Sequence, residues 1–374
     1  MASDRQILVT GGLGFVGSHL VDALIQRGHR VRVFDNLDPQ VHSIGDLPAH
    51  THPDAEVQRG DVRDPDALKR ALDGVEVVFH EAAVVGVGQS QYEVRRYVDA
   101  NVMGTANLLD LLVNAPNRVE KLIVAASMSS YGEGMYDCAS CGPARPDLRP
   151  EAQLAAGDWE VRCPTCGAPM SPRPIEETAE RRPNSIYAIT KMNQEDMALN
   201  IGRTYGIPAV ALRYFNIYGP RQSLSNPYTG VAAIFMSRIK NDRSPVVYED
   251  GQQARDFVSV HDVVQANLLA MERREADGQA FNVGTGVPLT IQQVAVTLAG
   301  LYDKPIQPEI TRRFRKGDIR HCIADISKAG RLLGYAPRVT FQDGMAELIE
   351  WSKGAEAVDR FEQAASELAR RRLA

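Results

Sequence analysis

The stretch that decides the fold reads Ile7-Leu8-Val9-Thr10-Gly11-Gly12-Leu13-Gly14-Phe15-Val16-Gly17. Its apolar run predicts a buried strand, and the glycines behind it predict a tight turn into a helix. Gly11 permits the turn, Gly14 lets the backbone approach a pyrophosphate, and Gly17 lets the helix pack closely on the sheet. A pyrophosphate would then lie at the helix N-terminus, where free N–H groups and the helix dipole favour an anion.

Short β-branched runs alternate with helical patterns through the first half of the chain. Strands are predicted at residues 6–10, 30–35, 55–59, 75–81, 121–127 and 209–214, and helices at 15–27, 65–73, 94–114 and 186–205. This alternation predicts an α/β fold, a doubly wound parallel sheet of the Rossmann type with right-handed crossovers. Beyond residue 218 the elements are shorter, and helices are predicted at 262–272 and 291–301, the second capped by Thr290.

These changes of pattern set the expected domain boundaries. Residues 1–132 and 175–218 form the sheet domain, to which the chain returns near 254–284. Residues 219–352 form a smaller substrate domain, and residues 133–174, rich in Pro, Gly and Cys, form an insert. The tail, residues 353–374, is rich in Ala and in charged residues; it is expected to be a surface helix and carries no chemical signal.

The composition excludes two classes of partner. The 374 residues carry a net charge of −5 and no long basic run, so we expect no nucleic-acid binding. No apolar stretch approaches the roughly 20 residues that span a bilayer, so no membrane segment is expected. The first strand starts so early that a signal peptide has no room, which predicts a cytoplasmic protein with reduced thiols.

Two acidic positions extend the glycine fingerprint. Asp35 closes the second predicted strand, 18 residues after Gly17, where a carboxylate can bind both adenosine ribose hydroxyls and would repel a 2′-phosphate. NAD is therefore favoured over NADP. Asp61-Val62 follows the third strand and could flank the adenine. The alternative reading of each residue is an ordinary turn glycine or a helix-capping acid.

A second motif carries acid–base chemistry. Tyr187 and Lys191 lie at i and i+4, hence on one face of a predicted helix, and Ser127 ends a strand between the two motifs. A nearby ammonium favours the phenolate form of a tyrosine, and Ser127 can bind the same substrate oxygen. The alternative is a surface Tyr–Lys pair on an amphipathic helix.

The insert holds two C-x-x-C pairs, Cys138/Cys141 and Cys163/Cys166, separated by 21 residues. Each second cysteine precedes a glycine, as tight metal knuckles require, and four thiolates suit tetrahedral Zn²⁺. The separation slightly exceeds the usual spacing of about 15–20 residues. We expect a structural zinc, with two disulfides or a redox role as alternatives.

Many motifs in order resemble the extended short-chain dehydrogenase/reductase family, the nucleotide-sugar epimerases and dehydratases. They are residues 11–17, Asp35-Asn36-Leu37, Gly60-Asp61-Val62, His80-Glu81-Ala82-Ala83, Asn101-Val102 with Gly104-Thr105, residues 127–132, 187–191, 213–216 and 255–258, and Arg315 with Gly317-Asp318. With the reasoning above, the resemblance implies tightly bound NAD. The residues expected to bind it are Gly11, Gly14, Phe15, Val16, Gly17, Asp35, Asn36, Asp61, Val62, Ala82, Ala83, Asn101, Tyr187, Lys191 and Tyr214.

The resemblance also implies a nucleotide-diphosphate sugar as substrate. Asn216 would bind its diphosphate, Arg255 and Arg315 would pair with the phosphates, and Asp318 would hold the ribose. Each arginine could instead form a surface ion pair. The remaining residues expected to contact the substrate are Ser127, Ser129 and Cys322. Cys322 would face the sugar as a small gate, or would be an ordinary buried residue.

Departures from the family pattern select one activity. Met128-Ser129 stands where sugar dehydratases carry Asp-Glu, and Val85 stands where galactose-type 4-epimerases often carry Lys. The insert, with residues 35–42, resembles the dTDP-L-rhamnose 4-epimerases. We therefore expect NAD-dependent C4 epimerisation of a nucleotide-activated hexose through a 4-keto intermediate, catalysed by Ser127, Tyr187 and Lys191.

Three other activities stay open at this point. They are a UDP-glucose/UDP-galactose-type 4-epimerase, a 4-ketosugar reductase and a non-catalytic NAD-binding regulator. The resemblance further implies a homodimer through the helices at 94–114 and 186–205.

Overall fold

The computed structural model describes residues 4–42, 46–228 and 230–373, so that the first three residues and Ala374 of the tail lie outside the described ranges. Within these ranges, seven parallel strands form one sheet in the order β7-β6-β5-β4-β1-β2-β3. The predicted doubly wound sheet is confirmed. Its strands are β1 Gln6–Thr10, β2 Arg30–Asp35, β3 Glu56–Arg59, β4 Val77–His80, β5 Lys121–Ser127, β6 Ala209–Tyr214 and β7 Gln279–Val283.

The seventh strand was not predicted from the sequence. β7 pairs with β6 at the edge of the sheet, with Phe281 opposite Leu212. The sequence indicated only that the chain returns to this domain near residues 254–284. The helix that precedes β7, Val260–Glu272, shares one apolar core with the fingerprint helix Phe15–Gln26.

Helices cover both faces of the sheet and form much of the smaller domain. None of those in the described ranges combines the length and the apolar character that crossing a bilayer demands. They are Phe15–Gln26, Pro65–Ala71, Val87–Ser90, Val94–Tyr97, Gly104–Asn114, Glu151–Ala155, Ile186–Tyr205, Val231–Lys240, Val260–Glu272, Ile291–Leu301, Ser327–Leu333, Phe341–Ser352 and Phe361–Arg370, with 3₁₀ turns at Met128–Tyr131 and Arg274–Ala276.

The helix predicted over residues 94–114 is interrupted. Between Val94–Tyr97 and Gly104–Asn114, the residues Val98–Met103 form a π-helical segment. Asn101, at the centre of this segment, is fully buried and bonds both backbone groups of Val84, at 2.7 and 3.0 Å. Hydrophobic periodicity does not report such a change of winding, because the apolar face continues through it.

The smaller domain packs its helices on short strands. Ala254–Ser259 pairs with Asn216–Tyr218, with Pro288–Thr290 and with His321–Cys322, and Val246–Val247 pairs with Glu309–Ile310. The predicted cap of the helix Ile291–Leu301 is confirmed. Thr290 accepts from the Gln293 amide at 3.1 Å while the Gln293 side chain accepts from the Thr290 amide, which completes a capping box.

The cysteine insert is more ordered than its sequence indicated. Its strands Gly142–Ala144, Met135–Cys138 and Ser171–Arg173 form a small antiparallel sheet. A separate apolar cluster supports it and comprises Tyr136, Cys138, Val161, Cys163 and Met170. So small a core is typical of units that need a further staple.

Gly17→Ala tests the packing of the fingerprint helix. The added Cβ would stand 2.2 Å from the carbonyl oxygen of Gly11 and 2.8 Å from the Cα of Gly12. Both are backbone atoms, so the whole turn must shift, and we expect a loss of about 1–3 kcal/mol in the free energy of unfolding. Urea unfolding measures this loss.

The matched control is Gly300→Ala, at an exposed helical position where nothing lies within 4 Å of the new Cβ. It should stabilise the protein by about 0.4–1 kcal/mol. Equal stability of the two variants would contradict the close packing at Gly17.

Candidate active site and cofactor cleft

A cleft of about 800 Å³ lies at the carboxyl ends of the central strands, between the sheet and the smaller domain. Open α/β sheets bind ligands at this edge. Of the residues predicted to bind cofactor or substrate, the cleft is lined by Gly11, Gly14, Phe15, Val16, Gly17, Asp35, Asn36, Asp61, Val62, Ala82, Ala83, Ser127, Ser129, Tyr187, Lys191, Tyr214, Asn216, Arg255, Arg315 and Asp318. The structure therefore brings together residues as far apart in the sequence as Gly11 and Asp318.

The glycine turn is held by the acid at the end of β2. Gly11 adopts a φ of +68°, which favours glycine, and its carbonyl accepts from the Gly14 amide at 3.1 Å. One oxygen of Asp35 accepts from the Leu13 amide at 3.1 Å and the other from the Leu37 amide at 2.8 Å. The carboxylate thus fixes the turn while it lines the cleft.

A polar cluster closes the neighbouring end of the cleft. Asp61 accepts from the Asn36 amide at 2.9 Å and from the Arg63 guanidinium at 2.7 and 2.9 Å. Burial opposes the charge of Asp61, but the bonds from Arg63 and Asn36 outweigh it and lower its pKa to about 2. These three side chains lie where the sequence predicted the adenosine to bind.

The tyrosine motif meets Ser127 at the centre of the cleft. The Ser185 hydroxyl accepts from the Ala188 amide and starts the helix Ile186–Tyr205, which places Tyr187 in its first turn. Ser127 ends β5, and its hydroxyl bonds the Tyr187 phenol and accepts from the Ser129 hydroxyl at 2.9 Å. Burial raises the pKa of Tyr187, and the Ser127 bond opposes this rise.

Lys191 is buried one helical turn below Tyr187. Burial lowers the pKa of its ammonium, and the Glu81 carboxylate opposes this effect. Burial raises the pKa of Glu81 in turn, against a 2.8 Å hydrogen bond from the Tyr214 hydroxyl and the charge of Lys191. Asn267 holds the Tyr214 hydroxyl from the other side, at 2.8 Å.

Glu81 was not among the residues predicted to bind the cofactor or the substrate, although it stands within the motif His80-Glu81-Ala82-Ala83. Its position directly after β4 places it on the cleft wall. A charged residue at the carboxyl end of a central strand was the available signal. Asn267 lies on the helix Val260–Glu272, and no local sequence pattern indicates its contact with Tyr214.

The residues predicted to bind the diphosphate and ribose of the substrate lie at the opposite end. The Oδ1 atom of Asn216 is buried with no hydrogen-bond partner among the described residues. Arg315 donates to Asp318 at 2.8 Å and lies over the Tyr248 ring, 4.9 Å from its centroid. Arg255 already donates to three carbonyl oxygens, of residues 254, 319 and 320, so it holds this wall of the cleft together.

Two predicted site residues lie outside the cleft lining. Asn101 spends its amide on Val84 and on the Thr190 hydroxyl, 3.0 Å away, and so positions the cleft wall. Cys322 is 1% exposed and packs in an apolar cluster with Tyr131 and Ile175. Cys322 was expected to face the sugar as a small gate, with an ordinary buried residue as the alternative. The structure matches the alternative.

Comparisons with known proteins agree with this geometry. The signature of the NAD dependent epimerase/dehydratase family matches residues 7–150, and that of GDP-mannose 4,6 dehydratase matches residues 167–348. The dTDP-L-rhamnose 4-epimerase of Burkholderia thailandensis is 36% identical over 363 residues, which are 96% of this chain and 98% of that protein. The chain belongs to the NAD dependent epimerase/dehydratase family.

Solved structures of 4-epimerases share its fold. UDP-glucose 4-epimerase of Thermotoga maritima, solved with UDP-glucose, has a TM-score of 0.75 and 32% identity, covering 93% of this chain and 98% of that one. The Thermus thermophilus enzyme, solved with NAD, has a TM-score of 0.74 and 30% identity, covering 94% and 100%. The resemblance to the extended short-chain dehydrogenase/reductase family is confirmed.

This member of the epimerase/dehydratase family closes its cleft with its own tail. The helix Phe361–Arg370 lines the cleft through Phe361, Ala364, Ala365 and Leu368. Glu367 accepts from the hydroxyls of Tyr92 and Tyr228 at 3.0 and 2.5 Å and holds the helix across the opening. The tail was predicted to be a surface helix that carries no chemical signal; a helix is present at Phe361–Arg370, but its place beside the cleft was not predicted. The apolar spacing i, i+3, i+4, i+7 was the signal that could have found it.

The four predicted metal ligands of this family member meet in the insert. Their sulfur atoms lie within 4.8 Å of one another, and the Cys138 and Cys166 sulfurs are 3.5 Å apart. A tetrahedral site with bonds of about 2.3 Å needs sulfurs about 3.8 Å apart, whereas a disulfide needs about 2.05 Å. The cluster can therefore hold a tetrahedral cation.

Proposed function

We propose that this protein is an NAD-dependent nucleotide-sugar 4-epimerase that inverts C4 of dTDP-L-rhamnose or a closely similar 6-deoxy sugar. The observation that carries the reaction type is the meeting of Ser127, Tyr187 and Lys191 in one cleft with the glycine turn. The Burkholderia thailandensis dTDP-L-rhamnose 4-epimerase supports the choice of sugar.

The residues of the turn fit NAD. A Cβ on Gly11 would stand 2.8 Å from the Ala82 amide, so only glycine leaves the turn open for a pyrophosphate. Asp35 places a carboxylate where a ribose would lie and where a 2′-phosphate would be repelled. NAD, when bound, supplies a reversible acceptor for the C4 hydrogen.

The chain's own residues handle the proton of the sugar hydroxyl. Tyr187 takes the proton from O4 as the C4 hydrogen leaves, and returns it when the hydrogen comes back on the opposite face. Ser127 binds O4 and the phenol together and so fixes the line of transfer. Lys191 favours the phenolate form of Tyr187 by its charge.

The smaller domain holds the nucleotide while the sugar turns. Asn216 would donate to the diphosphate through its side-chain NH2 group, Arg315 supplies a guanidinium and Asp318 faces the ribose. Arg255 has only Nε and one Nη2 hydrogen left to donate, so its main contribution is to shape this wall. The 4-keto sugar can then rotate on a fixed diphosphate, with no net redox change.

A UDP-glucose 4-epimerase is the second candidate. It is favoured by the Thermotoga maritima and Thermus thermophilus structures, which share the fold along nearly the whole chain.

An apolar wall of the cleft favours the 6-deoxy sugar over UDP-glucose. It is formed by Val85 and Val87, both half exposed, and by Leu368, and it suits a 6-methyl group. A sugar hydroxyl against such a wall would lose its hydrogen bonds to water.

The four cysteines hold a structural zinc in the same proposal. All four positions are taken by sulfur, so none is open for catalysis. A cytoplasmic location, which we include in the proposal, keeps the thiols reduced.

The protein also acts as a homodimer in this proposal. Val94, Val98 and Met103 on the interrupted helix, and Ile189 on the tyrosine helix, are large apolar side chains left exposed. These are the two helices that were expected to form the dimer interface. Association would remove these side chains from water.

Tyr187→Phe tests the acid–base role. It removes one oxygen and should lower kcat by about 10²–10⁴-fold while folding and bound NAD stay as in the wild type. The rate of C4 inversion measures this. Tyr205→Phe, an exposed tyrosine on the same helix, is the control and should keep full activity. A Tyr187→Phe enzyme with more than about a tenth of the wild-type rate would contradict the assignment.

The sugar preference is tested with two substrates on one preparation. We expect kcat/KM for dTDP-L-rhamnose to exceed that for UDP-glucose by about tenfold or more, because a methyl group suits the apolar wall. NMR of the product identifies the C4 epimer. A preference for UDP-glucose would reject the 6-deoxy sugar and leave the 4-epimerase reaction standing.

Elemental analysis tests the metal. The wild type should carry one zinc per chain, and Cys163→Ser should lose it while the dinucleotide domain stays folded. Cys322→Ala, outside the cluster, is the control and should retain the zinc. A zinc-free wild type, or a Cys163→Ser variant with full zinc, would rule out the site.

A further inference from the structure

The segment between the two cysteine pairs, residues 142–162, contributes charged side chains to the smaller domain. Arg149 donates two hydrogen bonds to Glu249, both at 2.8 Å. Glu160 accepts from Arg320 at 2.5 Å. Each contact crosses from the insert to a residue far along the chain, so the insert is tied to the smaller domain at two points.

The Arg149–Glu249 contact is buried, whereas Glu160, which binds Arg320, is half-exposed. The side chains of Arg149, Glu249 and Arg320 are 1%, 3% and 0% exposed. Arg320 also bonds Asp250, at 2.7 and 2.9 Å, so two guanidinium groups and three carboxylates form one network. Glu249 accepts from Arg320 as well, at 3.1 Å, so this buried carboxylate joins the two guanidinium groups in fixed geometry.

The network adjoins the end of the cleft that carries the nucleotide-binding residues. Glu249 itself lines the cleft, and its amide donates to the Arg313 carbonyl at 2.7 Å. Arg149 donates to the Asp318 carbonyl at 3.2 Å. The backbone on either side of Arg315 is therefore held, directly or through Glu249, by one arginine of the insert.

We propose that the cysteine insert fixes the nucleotide end of the substrate cleft, with Arg149 as the positioning residue and the bound metal as the clamp. This inference rests on the proposed function, since it assigns the nucleotide to the wall formed by Arg315 and Asp318. Arg149 does not contact the substrate. It acts through Glu249 and through the backbone of Asp318.

The physical reason is loop closure. The metal joins the two ends of the segment 142–162 and thereby reduces the conformations that Arg149 and Glu160 can sample. Without the metal only a fraction of the molecules would hold the wall in place. The apparent affinity for a nucleotide falls by that fraction.

Binding of dTDP to the holoenzyme tests the proposal. Arg149→Met should raise the Kd of dTDP, measured by calorimetry, and the KM of the sugar nucleotide by roughly 5- to 150-fold, the usual range of coupling between sites. The kcat and the bound NAD should stay near the wild-type values. Arg149→Lys should fall between, because an ammonium cannot bond both carboxylate oxygens as a planar guanidinium does.

Arg162→Met is the matched control, since Arg162 lies on the same segment but pairs with Asp158 at the surface. Its Kd and KM should equal those of the wild type. A loss of kcat in Arg149→Met at unchanged Kd would indicate a role other than the one proposed and would overturn it.

A second measurement needs no variant. Coupling is reciprocal, so saturating dTDP should raise the affinity for zinc, measured by equilibrium competition with a chelator, by the same factor that zinc raises the affinity for dTDP. Equal zinc affinity with and without dTDP would overturn the proposal. Absence of dTDP and UDP binding to the wild type would instead reject the proposed function itself.

Discussion

The buried ion pair between Arg213 and Glu195 fixes the geometry on which the site depends. Arg213 lies on β6, and Glu195 lies one turn beyond Lys191 on the tyrosine helix, with bonds of 2.9 and 2.5 Å between them. The Arg213 guanidinium also donates to the Tyr131 hydroxyl at 2.7 Å. Because Tyr131 follows Ser127 by one turn, a single guanidinium sets the position of the helix against the end of β5. Removal of one partner of such a pair costs about 3–5 kcal/mol.

The same principle recurs at the other end of the cleft. There the buried pair of Arg149 and Glu249 joins the insert to the smaller domain, while an apolar cluster lies beneath each unit. Apolar packing stabilises the separate units, but it is not directional. The buried ion pairs have fixed partners and fixed angles, so they determine how the units meet and therefore the shape of the cleft.

Local signals in the sequence were sufficient for much of the fold. β1, β5, β6 and the tyrosine helix have the predicted bounds, because the strands are short, mainly apolar runs and the helix lies between the cap Ser185 and Gly206. Predictions were wrong or missing where tertiary contacts decide the structure. β7 is short and depends on β6, and the π-helical turn depends on the bonds of Asn101 to Val84. The covering role of the tail depends on Tyr92 and Tyr228, which lie far away in the sequence.

The candidate site was predictable to the extent that its chemistry follows from spacing. Tyr187, Lys191 and the glycine turn could be placed together, because the carboxyl ends of parallel strands meet at one edge. The direction in which a side chain points from a strand of two residues could not be inferred, since so short a strand carries no periodicity. His321–Cys322 is such a strand, and its pairing with Ala254–Ser259 turns Cys322 into the apolar cluster and away from the cleft.

Glu81 completes the electrostatics of the catalytic group. A buried ammonium needs a counter-charge, and the charge of the Glu81 carboxylate opposes the effect of burial on Lys191. Burial raises the pKa of Glu81, and its hydrogen bond with Tyr214 ties the carboxylate to the opposite strand. Glu81 therefore compensates Lys191 only in part. In the proposed reaction, the charge that Lys191 keeps lies one helical turn from the Tyr187 phenol, the group that must lose its proton.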